Sequence, residues 1–209
     1  PPVFFSDWTT QKVKKFIGIQ EAQTLPELND WLSVDVTIEI NPEISQSHIE
    51  RLRLALIHNF GGWNEQELIY NFIGPLMATI PYLEEDEIKS FAERELEAEI
   101  VVGQYNWKVK GVVDWMAAKG DLDPLLPFFF LQEYKRTQMP KSDPLGQLLI
   151  AMLAARAAGS SPYPEYGVYV IGRHWYFVWL GADRFAQSQG YDAADAGELR
   201  IIRHVLHRT

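Results

Sequence analysis

Asp114, Glu133 and Lys135 stand where the surrounding sequence favours apolar residues. Asp114 follows the run Val109 to Val113, and Glu133 and Lys135 follow the run Phe128 to Gln132. Side chains alternate along a strand, so Glu133 and Lys135 project from one face, roughly 7 Å apart along the chain. If the two strands are neighbours, Asp114 joins them at the sheet end. Two converging carboxylates form an oxygen-rich pocket suited to a hard divalent cation such as Mg2+ or Mn2+. A lysine beside that cation loses its proton more readily, or orients a water and stabilises a developing phosphorane charge. Metal and lysine together make a site for hydrolysing a phosphodiester. Other chemistries find less support. The chain has no cysteine, which excludes thiolate zinc sites, iron–sulfur clusters and cysteine nucleophiles. It also has no Gly-x-Ser-x-Gly elbow, glycine-rich phosphate loop or dinucleotide fingerprint. His204 and His207, three apart, read as cations near a helix C-terminus, where the dipole favours them, rather than as a second metal site.

The elements that must position these residues can be read from periodicity and caps. Thr9 or Thr10 caps a short helix leading into residues 12–17, and Pro26 sits in the first turn of another. Ser47, with Glu50 three positions on, opens a helix carrying Ile49, Leu52, Leu56 and Phe60, which Gly61 and Gly62 end. Asn64 caps a helix over 65–79 with Leu68, Phe72 and Leu76 on one side, kinked or ended at Pro75. From about Phe91 the period becomes two. Leu96, Ala98, Ile100 and Val102 alternate with Glu95, Glu97 and Glu99, a strand with one wet face, although 91–97 also fits a prolonged helix. A Gly103-Gln104 turn leads into a second strand through Tyr105, Trp107, Val109 and Val113. The apolar run 127–131 reads as a third strand, covered on both faces. Asp143 and Pro144 start a helix with Leu145, Leu148, Leu149, Met152 and Leu153 on its buried side. Tyr166–Ile171 and Trp175–Leu180 make a hairpin, and Glu198–His207 a last amphipathic helix. The order predicts an α/β protein with a mixed sheet flanked by helices. It is expected to be a single domain over 1–209, in which a helical extension (1–62) precedes an α/β core (63–209).

The pair of segments Gly111 to Asp114 and, nineteen residues on from that aspartate, Phe130-Leu-Gln-Glu133-Tyr-Lys135 resembles the Asp…Glu-x-Lys signature of the PD-(D/E)XK nucleases, the restriction-endonuclease-like superfamily. The element order is similar too: a helix, a three-stranded meander, a helix and a further strand. Two outlying segments add to the likeness. Asn64-Glu65-Gln-Glu67 with Phe72 to Leu76 resembles the helix that leads the nuclease domain in the restriction subunit of type I restriction enzymes, where a glutamate can complete the metal site. Glu65 is the matching position, with Glu67 as the alternative. Gly146-Gln147-Leu148 resembles the segment whose glutamine often follows the core motif. The chain is also similar to an uncharacterised bacterial family sharing the runs at 127–135 and 143–155. The resemblance spans about residues 63–180. Valine rather than the superfamily's proline precedes Asp114. What the resemblance implies is a Mg2+- or Mn2+-dependent nuclease with Asp114 and Glu133 as metal ligands, Lys135 as the catalytic lysine, Glu65 as a third carboxylate, and Gln147 in support.

Charge sets a constraint on that expectation. Over 209 residues, 19 Lys and Arg stand against 28 Asp and Glu, a net charge of −9, which argues against coating nucleic acid by charge alone. The acidity is regional: residues 1–107 carry −11, whereas 108–156 carry +2, with Lys108, Lys110, Lys119, Arg136 and Lys141 near the motif. The alternative from another class is therefore a catalytically inactive binding or assembly protein on the same fold, with a protein partner or a second copy. Of the seven tryptophans most lie in periodic apolar stretches and belong to the core, while Trp175, beside Arg173 and His174, is open to base stacking. No leader-like start or membrane-length apolar run appears, so a cytoplasmic protein is expected, with nucleic acid, DNA before RNA, as substrate.

Overall fold

The computed structural model describes residues 2–80, 88–120, 122–135, 143–159 and 165–208, with the backbone alone for 88, 119, 125–135 and 165. Three long strands form its centre: β3 (Ile88–Val102), β4 (Tyr105–Gly120) and β5 (Pro124–Lys135). β3 and β4 are antiparallel around the turn at Gly103, whose φ of 58° suits glycine, and β4 and β5 are antiparallel too. β6 (Glu165–Ile171) then runs parallel to β5, as a strand reached through a helical crossover does. β7 (His174–Leu180) returns antiparallel in a tight hairpin, followed by β8 (Arg184–Gln187) and β9 (Tyr191–Asp192). Among the described residues the result is a sheet of nine strands; its mixed α/β character is what the element order predicts.

Helices cover both faces. The crossover helix α6 (Pro144–Gly159) lies on one, in a core with Phe5, Trp8, Val13, Met116, Tyr169 and Val178. It is buried nearly all round, including Ile150, Ala151, Ala154 and Ala155, because the N-terminal segment packs over the side turned away from the sheet. The other face carries α2 (Pro26–Leu32), α3 (Gln46–Asn59), α4 (Glu65–Leu68), α5 (Gly74–Met77) and α7 (Ala196–His207) around Trp31, Leu56, Phe72, Val168, Trp175 and Ile202. Among the described residues no helix is long and apolar enough to cross a membrane.

Several sequence expectations need correction. Residues 1–62 are not a purely helical extension. β1 (Val3–Phe4) pairs in parallel with β4, and β2 (Gln20–Glu21) pairs in parallel with β8; between them α1 (Thr10–Lys12), capped by Thr9, widens into a π turn at Val13–Ile17. Two-residue strands carry too little periodicity to be read from sequence. Ser45, not Ser47, caps α3, accepting from the His48 amide, and Glu50 pairs with Arg53 instead of closing a capping box. The predicted 65–79 helix is interrupted by a π turn at Ile69–Ile73. Pro75 lacks an N–H and its ring crowds the carbonyl four residues back, so the helix widens just before it. The last helix starts at Ala196, capped by Asp195, earlier than the predicted Glu198. Trp175 is fully buried in the second core and offers no stacking surface. The acidic run 84–87 lies outside the described residues.

Candidate active site

Asp114 does not end its strand; it sits inside the sixteen residues of β4. Residues facing the first core are odd-numbered at Val109 and Val113 and even-numbered at Met116 and Ala118. β3 changes in step, from Leu96, Ala98 and Ile100 to Phe91. The pairing register does not slip, since Arg94 opposes Val113 and Ala92 opposes Trp115. The reversal falls level with Asp114 at Glu93, whose φ of 52° is a left-handed conformation strained for a non-glycine residue. The strands therefore swap faces at Asp114, where one pair of the ladder is missing, and resume pairing in the same register on either side.

The same register supplies the neighbour. Trp115 opposes Gln132 and Met116 opposes Leu131, so the next step outward puts Asp114 level with Glu133. Glu133 in turn is in register with Tyr169, and Lys135 with Ile171, and both of those face the first core. By backbone register, continuing the ladder by one step, Asp114 is level with Glu133, and Lys135 follows two residues further along β5. The side chains of Glu133 and Lys135 lie outside the described residues, as do those of Lys119, Arg136 and Lys141.

α6 is fixed over this face at its N-terminus. The Asp143 carboxylate accepts from the Thr10 amide at 2.7 Å, the Thr10 hydroxyl at 3.0 Å and the Gly146 amide at 2.9 Å, capping α6 and tying it to α1 together. A Cβ on Gly146 would stand 2.4 to 2.6 Å from the Thr9 and Thr10 backbone, so only glycine permits this approach. The next residue, Gln147, lines a cavity of about 330 Å³ together with Asp114, Phe5, Glu95, Glu97 and Lys110. Lys108 pairs with Glu97 at 2.6 Å, and that hydrogen bond holds the Glu97 carboxyl below the ordinary carboxylate range. Lys110 lies over the Phe4 ring at 5.2 Å. Of the five cations expected near the motif, Lys110 lines the cavity and Lys108 is engaged by Glu97.

Glu65 is half-buried at the first position of α4, whose Leu68 packs in the second core, and it is not among the described residues lining the Asp114 cavity. Glu67 serves the helix start instead. Its carboxylate accepts from the Asn64 amide at 2.7 Å while Asn64 Oδ1 accepts from the Glu67 amide at 2.9 Å, a reciprocal capping box. His204 is buried with both ring nitrogens on carbonyls, Arg200 at 2.7 Å and Ile38 at 2.8 Å, so neither is open to a metal. Among the described residues no group of three or more His, Asp or Glu side chains gathers to hold a metal. Sequence reasoning missed the part of Glu95 and Glu97 as cavity walls, because alternation assigns them only to a wet strand face. It also missed Tyr169, which is buried, donates to Gln187 at 2.7 Å, and has its pKa pushed up by burial and by Tyr176, Asp143 and Glu21.

No known protein family matches the chain, and no curated protein matches it. The solved structure of SSO0001 is similar over 85% of this chain and 78% of its own, at 17% identity and a TM-score of 0.25, a likeness too slight to carry an argument.

Proposed function

We propose that the chain is a cytoplasmic, metal-dependent nuclease that hydrolyses phosphodiester bonds of nucleic acid. The observation that carries this reading is the β4–β5–β6 register. Extended by one step it sets Asp114 level with Glu133, two residues before Lys135, and Asp114 lines a cavity together with Gln147 of α6, which supports the reading. Two carboxylates are hard oxygen donors that fit Mg2+ or Mn2+, which when bound supplies charge neutralisation at the scissile phosphate. Asp114 and Glu133 would hold it, with Glu65 as a third carboxylate on the resemblance alone. Lys135 orients the attacking water and takes up charge developing on the phosphorus oxygens. Gln147 positions a phosphate oxygen or the water from the α6 side. Lys110, at the cavity wall, offers a cation to the backbone of the bound strand.

The decisive experiment is Mg2+- or Mn2+-dependent cleavage of single- and double-stranded DNA and of RNA by the native chain, Glu133→Ala and Lys135→Ala. Cleavage lost in both variants is the expected result, and equal activity in all three overturns the proposal. One observation favours a second reading, a binding or assembly protein without catalysis: Glu95 and Glu97 line the cavity and repel a phosphate. No rise in melting temperature with millimolar Mn2+, together with no cleavage of any substrate, would select it.

A further inference from the structure

On the opposite side of the sheet, α7 and the segment 36–41 enclose a second cavity, of about 380 Å³, that the nuclease reading does not use. Its floor is Arg203. This side chain is buried, at 4% relative exposure, yet only its Nε has a partner among the described residues, the Thr79 hydroxyl at 3.2 Å. The two terminal nitrogens of the guanidinium, four N–H donors, are left for the cavity that Arg203 lines. Arg200, one turn back on α7, lines the same cavity from an exposed position. Burial and the neighbouring Arg200 push the Arg203 pKa down, opposed by Glu39. Arg203 is largely withdrawn from bulk water and feels the like charge of Arg200, so an anion in the cavity would offset both costs.

The walls are built to persist. His204 is tied to Arg200 O and to Ile38 O, so it pins the 36–41 segment against α7. Thr37 is folded back on Asp35, its amide at 2.9 Å and its hydroxyl at 2.6 Å from the same carboxylate oxygen. Asn41 spends its side-chain oxygen on the Glu43 amide at 3.2 Å, which leaves its NH2 group as a further donor at the cavity wall. The one carboxylate lining the cavity among the described residues, Glu39, is exposed and forms no ion pair with either arginine.

We propose that this cavity is a phosphate-binding site, in which Arg203 and Arg200 grip the oxygens of a phosphate group from two sides. Planar guanidinium forks suit tetrahedral oxoanions, and a desolvated arginine strengthens each bond it makes. The phosphate comes either as the free ion or as the terminal phosphate of a nucleotide. The cavity lies across the sheet from Asp114, so the proposal is independent of the nuclease reading.

The test is thermal stabilisation of the full chain by inorganic phosphate and, in a separate arm, by a nucleoside 5′-monophosphate, each against chloride at matched ionic strength. A ligand that binds only the folded state raises the melting temperature saturably. The expected result is a saturable rise that weakens about tenfold in apparent affinity in Arg200→Gln and strengthens in Glu39→Gln. Arg200 and Glu39 are exposed, so both variants fold. A larger response to the nucleotide than to free phosphate assigns the terminal phosphate, and the reverse assigns the free ion. No rise beyond chloride in either arm, or the same affinity in all three proteins, overturns the proposal.

Discussion

Gly146→Ala tests how the candidate site is assembled, because two effects of opposite sign compete there. In an exposed helix the change would stabilise by about 1 kcal/mol through helix propensity. Here the new Cβ would stand 2.4 Å from the Thr10 amide nitrogen and 2.5 Å from the Thr9 carbonyl carbon, backbone atoms that cannot swing aside. Ordinary contact begins at 3.4 Å, so α6 must move about 1 Å away from α1. That movement stretches the bonds from Thr10 to Asp143, now 2.7 and 3.0 Å, past hydrogen-bonding range. Overpacking of this kind costs roughly 1–3 kcal/mol, and weakening charge-assisted bonds roughly 1.5–3 kcal/mol more. With the propensity gain subtracted, the net loss is about 3 kcal/mol. For a chain of this length a urea slope near 3 kcal/mol per molar converts that to a midpoint lowered by about 1 M. Gly61→Ala, in open space, should leave the stability within about 0.5 kcal/mol of native. A Gly146→Ala midpoint equal to or above native would refute the account of α6 clamped on α1. Because Gln147 follows directly, the same variant should also weaken stabilisation by Mn2+.

Asp114→Asn should abolish the rise in melting temperature with Mn2+ while the far-ultraviolet spectrum stays native; an unchanged rise removes Asp114 from the ligand set. Glu67→Ala should lower stability by about 1 kcal/mol in urea, through loss of the capping box, and keep the Mn2+ response. Trp31 donates its indole N–H to the Val205 carbonyl at 3.2 Å, whereas the buried indole N–H of Trp175 has no partner among the described residues. Trp31→Phe should therefore cost about 1–2 kcal/mol more than Trp175→Phe by urea unfolding, since only the first breaks a made bond. Tyr169 has a folded pKa raised above the ordinary tyrosine value, chiefly by burial. Its contribution to stability is complete below about pH 10 and declines as pH rises further, because the unfolded chain ionises first. Tyr169→Phe should flatten that alkaline decline, measured as urea midpoints from pH 9 upward.

Local chemistry made much of the fold legible. Asn64 and Pro26 mark helix starts by side-chain caps and ring geometry, and the alternation at 96–102 and the glycines at 103 and 172 mark strands and hairpins. Asp114, Glu133 and Lys135 stand out in the sequence as charges following apolar runs. Strict period two failed at Asp114. It predicts a strand that stops there, whereas the faces reverse at Glu93, which is left-handed, and pairing resumes in the same register beyond it. A single left-handed residue in the middle of a strand leaves no periodic trace in the local sequence.

By itself, then, the sequence determined the element order, most caps, and the Asp…Glu-x-Lys spacing, because these depend on neighbours within a few residues. Only the tertiary structure decided which strands lie side by side, that Asp114 is level with Glu133, and that Gln147 meets the Asp114 cavity. It alone left the buried guanidinium of Arg203 facing a second cavity. Those facts join residues 19 to about 165 positions apart, and packing on two faces of one sheet selects such pairings through burial that no short window contains.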